Sequence, residues 1–155
     1  MTHMIRSFRF TVLAGLMAFP MAAGAGSDGI VVDAPWSRAS IGTSRPGVAY
    51  MALTNTGDSA ATLTGLKAEI SGMPELHRSG TNADGVSTME PAGDITIPPG
   101  ETVSLEPGGL HAMLMRLTAP LEEGQTFPLT LVFEDGAEIE VEVPILAPTA
   151  RGPAE

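Results

Sequence analysis

No cysteine occurs anywhere in the 155 residues. The chain therefore uses no disulfide, and it lacks the thiolate that a blue-copper electron carrier needs. Basic residues are also scarce, 8 Lys and Arg against 18 Asp and Glu, which makes nucleic acid and anionic lipid unsuitable partners. There is a single tryptophan, Trp36, read most simply as a core anchor. No Gly-rich phosphate loop, Gly-x-Ser-x-Gly elbow or Cys/His dyad can be found. The acidic residues offer no catalytic pair either: Glu134 and Asp135 fall in a turn, Glu122 and Glu123 in a loop, and Glu138, Glu140 and Glu142 along one solvated strand face. A non-enzyme is expected.

The long apolar run that is present lies at the N-terminus. Arg6 and Arg9 precede an apolar stretch from Phe10 to Ala23, and Ala23-Gly24-Ala25 supplies small residues for cleavage. Residues 1–25 thus read as a cleavable signal peptide, with an apolar core shorter than the roughly 20 residues that span a bilayer. Nothing later is long and apolar enough to cross a membrane, and no cysteine is present to carry a lipid. After cleavage six basic residues remain, Arg38, Arg45, Lys67, Arg78, Arg116 and Arg151, beside all of the acidic ones. Residues 26–146 fit one domain of common size, able to bury about two thirds of its unfolded surface, and 147–155 read as a flexible tail. A periplasmic protein that does not insert into the membrane is expected.

From Ile30 to Leu146 the pattern is short β-rich segments punctuated by glycine and proline. Ala137, Ile139, Val141 and Val143 alternate with three glutamates, and Phe127, Leu129, Leu131 and Phe133 share one face of Thr126 to Phe133. Glu134-Asp135-Gly136 between them makes a hairpin. Further strands are expected at Ile30 to Asp33, Val48 to Asn55, Ala61 to Ala68, Pro74 to Arg78, Thr102 to Leu105 and His111 to Leu117. Turn chemistry separates them at Asn55 to Asp58, Asn82 to Gly85, Pro98 to Gly100 and Pro107 to Gly109. The expected architecture is all-β, an antiparallel sandwich or Greek-key barrel.

Beyond the leader the only histidines are His77 and His111. On a strand, His111 and Met113 point to the same face with Cβ atoms about 6.5 to 7 Å apart, so they can converge on one ion. His77 near a strand end, and Met89 just beyond the Asp84-Gly85 turn, are placed to complete the set. Neutral imidazole and thioether donors select Cu(I), whereas Zn(II) favours cysteine, histidine or carboxylate. Met115 reads as packing beneath the site, and Met51 and Met73 as core. Because the histidines titrate and the thioethers do not, affinity should fall as the imidazoles protonate.

His77-Arg78, ten residues, Met89, twenty-one residues, then His111-Ala112-Met113 resembles the signature of the PCu(A)C family of bacterial periplasmic copper chaperones. Arg78 stands where that family often has methionine, its variable position. Flanking stretches agree, including Ala34 to Arg38, Ala49 to Gly57, Glu75-Leu76-His77 and Pro107 to Met115. The resemblance spans about Ile30 to Val143. It implies a cupredoxin-like antiparallel Greek-key β-sandwich that binds Cu(I) through His77, Met89, His111 and Met113. It further implies transfer to copper-accepting proteins, such as the cytochrome c oxidase CuA subunit, sometimes alongside a Sco-type thiol protein; a monomer is expected. Residues 147–155 contain no histidine or methionine, unlike the Cu(II)-binding extension of some members. Copper buffering or resistance is the alternative role, and a metal-free interaction sandwich is the reading from another class.

Overall fold

The computed structural model describes residues 27–153, so the expected signal peptide lies outside the described residues. A 3-10 turn at Ser27–Gly29 leads into ten strands: β1 Ile30–Arg38, β2 Gly47–Asn55, β3 Ala61–Lys67, β4 Ser71–Thr81, β5 Ser87–Pro91, β6 Ile95–Ile97, β7 Thr102–Leu105, β8 Leu110–Leu117, β9 Thr126–Phe133 and β10 Glu138–Leu146. The protein is all-β over these residues, and no helix among them is long and apolar enough to cross a membrane.

The strands join edge to edge in the order β5-β4-β8-β7-β2-β1-β10-β9-β3-β6, with β8 also pairing β2. Most neighbours are antiparallel; β1–β10 and β7–β8 are short parallel pairings. One apolar cluster combines Ala49, Leu53, Leu76, Ala112 and Leu114 with Leu63, Ile97, Leu129, Leu131 and Val143. These residues come from both ends of the strand order, so the sheet doubles back and buries its inner face against itself. The period of two explains the partition: Phe127, Leu129, Leu131 and Phe133 are all buried, while Glu138, Glu140 and Glu142 on the paired strand are exposed. The β9–β10 hairpin forms as expected, with Gly136 at φ 85° closing the turn.

Three departures from the sequence reading matter for the site. β4 runs from Ser71 to Thr81 rather than Pro74 to Arg78, which lets it pair β8 on one side and the unanticipated β5 on the other. β1 continues through Pro35 to Arg38, helped by a bulge between Asp33 and Trp36 where Ala34 takes φ 47°. The extra residue sets Trp36 opposite Tyr50, ring centroids 4.6 Å apart, under the Arg38 guanidinium. Trp36 is buried but lies outside the main core cluster, on the opposite face of the sheet. Met73 also differs: it is half-buried on that outer face, opposite Met115. Met51 is in the core, as expected.

Candidate metal centre

β4 and β8 run antiparallel in a register that sets Met73 opposite Met115, Glu75 opposite Met113, and His77 opposite His111. Directly paired residues share a face, as do residues two apart on one strand. All six therefore project from the outer face, and the intervening Leu76, Ala112 and Leu114 fill the core. β5 extends this face. Met89 pairs with Ser79, two residues beyond His77, and so joins the same side. On the other flank Met113 also pairs with Val48 of β2.

The two imidazoles lie with ring centroids 6.2 Å apart and planes tilted by 39°. Both are buried, at 9% and 3% exposure for His77 and His111. Each ring is oriented through one nitrogen. His77 Nε2 donates to Glu75 Oε2 at 3.2 Å, and His111 Nδ1 donates to the Gly109 carbonyl at 3.1 Å. A carbonyl or an ionised carboxylate can only accept, so these contacts place the proton of a neutral ring on the contacted nitrogen. The lone pairs then belong to His77 Nδ1 and His111 Nε2. Both atoms are buried and have no hydrogen-bond partner.

Buried polar atoms are paired in most proteins, and an orphan costs about 1–3 kcal/mol. Two such atoms on facing side chains, both carrying a lone pair, make a site suited to a cation that accepts neutral donors. Orientation of each imidazole through its second nitrogen is the usual outer-shell arrangement of metal-binding histidines. Among the described residues there is no group of three or more histidine, cysteine, aspartate or glutamate side chains able to hold a metal. A third or fourth donor at this face must come from elsewhere, and methionines flank the pair on both sides.

The loop before β8 fixes His111. Gly108 takes φ 83°, Gly109 N–H donates to the Glu106 carbonyl at 3.1 Å, and Glu106 N–H donates to Leu110 at 2.7 Å. The Gly109 carbonyl also accepts from Ser79 N–H at 3.0 Å. One backbone oxygen thus ties β4 to the loop and sets the His111 ring. The two candidate thioethers differ in access: Met113 is half-buried, whereas Met89 is 51% exposed on a strand whose five residues are all exposed.

Residues 30–145 match the family model described as "Putative lipoprotein LpqE-like". The chain belongs to the LpqE-like family. This is a PCuAC-type family, in agreement with the resemblance carried by the histidine and methionine spacing. A curated relative from Leifsonia xyli subsp. xyli (strain CTCB07), named "Putative lipoprotein Lxx21020", is 34% identical over 157 residues, covering 94% of this chain and 93% of its own. Among solved structures, the apo PCuAC domain from PmoF1 superimposes with a TM-score of 0.66 at 29% identity, covering 77% of this chain and 95% of that domain. The Cu(I) form of DR1885 from Deinococcus radiodurans gives a TM-score of 0.59 at 32% identity, covering 82% and 86% respectively.

Glu75 is the residue of this site that the sequence does not single out, although Glu75-Leu76-His77 belongs to the flanks that carry the family resemblance. The available signal was its spacing: an acid two residues before a histidine on a strand shares its face.

Proposed function

We propose that this protein is an exported Cu(I) chaperone that holds one ion through His77, Met89, His111 and Met113 and passes it to acceptor proteins in the periplasm. The observation that carries this reading is the pair of buried, partnerless lone-pair nitrogens, His77 Nδ1 and His111 Nε2, on facing residues of the β4–β8 ladder. Copper-bound forms exist among its structural neighbours, including the PCuAC domain from PmoF2 and DR1885, and the donor types here are those that favour Cu(I). We read residues 26–146 as the copper domain, a cupredoxin-like Greek-key sandwich that follows a cleaved signal peptide and acts as a monomer.

Carriage follows from the chemistry of the donors. Imidazole and thioether are neutral, so the ion keeps its positive charge, and an incoming thiolate is attracted to it. Exchange to a thiol-bearing acceptor such as a Sco-type protein, or onward to the oxidase CuA subunit, is then favoured over indefinite retention. An anaerobic competition of residues 26–155 against a coloured Cu(I) chelator tests the site. One equivalent held by the parent and lost in a His111→Ala, Met113→Ala double variant is the expected result. Equal, weak competition by both proteins would overturn the reading.

A further inference from the structure

We infer that Glu75 is a positioning residue of this site: it fixes the tautomer of His77 and supplies the negative charge that the neutral ligand set lacks. The inference rests on the copper reading and adds to it a residue outside the proposed ligand set. Glu75 Oε2 lies 3.2 Å from His77 Nε2, on the side of the ring remote from the orphaned Nδ1. The carboxylate therefore acts through the imidazole rather than beside the ion. Its side chain is 43% exposed, against 11% for that of His77, so the acid keeps contact with water while holding a buried ring.

The two histidines are oriented by unlike partners. His111 is held by a backbone carbonyl, which is neutral and cannot be removed by side-chain substitution. His77 is held by a carboxylate, which orients the ring and places a full charge near the cargo. Register strengthens the arrangement: Glu75 stands opposite Met113 as His77 stands opposite His111. Two alternate rungs of one ladder, both facing outward, thus bring together both imidazoles, a thioether and the acid. Two imidazoles and two thioethers contribute no charge, so a carboxylate in hydrogen-bond contact with one ligand offsets the cation without becoming a hard ligand that would favour other metals.

Orientation and charge can be separated by two substitutions. Glu75→Gln retains an acceptor oxygen but no charge, and Glu75→Ala removes both; Glu140→Gln, on the solvated face of β10, is the control. Imidazole nitrogen NMR of the metal-free proteins reads the tautomer, and anaerobic chelator competition reads Cu(I) affinity. The expected result is that His77 remains Nε2-protonated in the parent and in Glu75→Gln but becomes a mixture in Glu75→Ala. Affinity should fall about tenfold in Glu75→Gln and by up to about 100-fold in Glu75→Ala. The parent-to-Gln difference should shrink with added salt, as a charge effect must. A parent that binds Cu(I) tightly, with both variants matching it and His77 unchanged, overturns the role of Glu75 and leaves the copper reading standing. A parent that binds no Cu(I) overturns both.

Discussion

His77 and His111 face each other across β4 and β8 with their rings 6.2 Å apart, and each turns a buried, partnerless nitrogen away from the acceptor that orients it. The metal-free protein bears the desolvation cost of both atoms. A bound cation removes it.

Replacing His111 by leucine should consequently separate stability from function. His111→Leu eliminates one orphan, and the Gly109 carbonyl retains its bond from Ser79. Urea unfolding of the metal-free variant should give a stability equal to the parent or up to about 1 kcal/mol higher. The rise in melting temperature that Cu(I) gives the parent should disappear. A metal-free loss of more than about 2 kcal/mol would show that the imidazole is a packing element first.

Asn55 is the opposite case, a buried polar side chain with its bonds made. It is fully buried; Nδ2 donates to Ser59 at 2.7 Å and Ile97 at 2.9 Å, and Oδ1 accepts from Gly57 N–H at 3.0 Å. Asn55→Ala strips the partners from a turn and a core strand at once. A cost of about 3 kcal/mol in chemical denaturation is expected, with little effect on copper affinity in the protein that remains folded.

Asp135 ties the start of the described chain to the β9–β10 turn. Its carboxylate accepts from Ser27 N–H at 2.8 Å and from Ala137 N–H at 2.9 Å. The Ser27 backbone bond, followed by that from Ala137, lowers the Asp135 pKa. A depressed pKa means that the folded state binds the proton less readily than the unfolded state, so the contribution is present above the unfolded value, about 3.9. It is lost as pH falls through the lower folded value. Asp135→Asn should be less stable than the parent at neutral pH, and the two unfolding curves should converge in strong acid. A constant difference at all pH values would mean that the hydrogen bonds do not discriminate charge.

Tyr50 gives the alkaline counterpart. Burial raises its pKa, and the nearby Arg38 opposes the rise without cancelling it. Because the folded value exceeds the unfolded one of about 10, the stabilising contribution is complete below pH 10 and disappears as pH climbs through the folded value. As the chain's one tyrosine, Tyr50 can be followed alone by its phenolate absorbance. The midpoint should lie above 10 in the native protein and return to about 10 in denaturant.

Periodicity made most of this fold legible, and its limits are physical. β7 and β9 have the extents expected from alternation alone, because their apolar residues fall on every second position. β5 was invisible because all five of its residues are exposed, and β6 because two buried isoleucines, Ile95 and Ile97, are too few to establish a period. Trp36 is buried, as a core anchor should be, yet a single bulge sets it against Tyr50 outside the main cluster, a placement that alternation does not reveal. The two histidines were legible as a candidate pair from their rarity, but their direct opposition depends on the β4–β8 register, a long-range relation that no local pattern contains. Glu75 required that register as well as the strand period.

The exposure of Met89 bears on how an ion would leave. Met113 is half-buried between β4 and β2, whereas Met89 is 51% exposed on edge strand β5 and lines an open groove with Ser79 and Gly108. A solvent-facing thioether can be displaced by an incoming thiolate without opening the sheet, and losing it removes little packing. Met89→Leu should leave metal-free stability within about 0.5 kcal/mol of the parent while weakening Cu(I) binding and speeding stopped-flow transfer to a thiolate acceptor. Met113→Leu should weaken binding too, but its transfer should still proceed through Met89 and accelerate less for the same loss of affinity. Equal acceleration at equal affinity in the two variants would show that exit does not begin at the exposed edge.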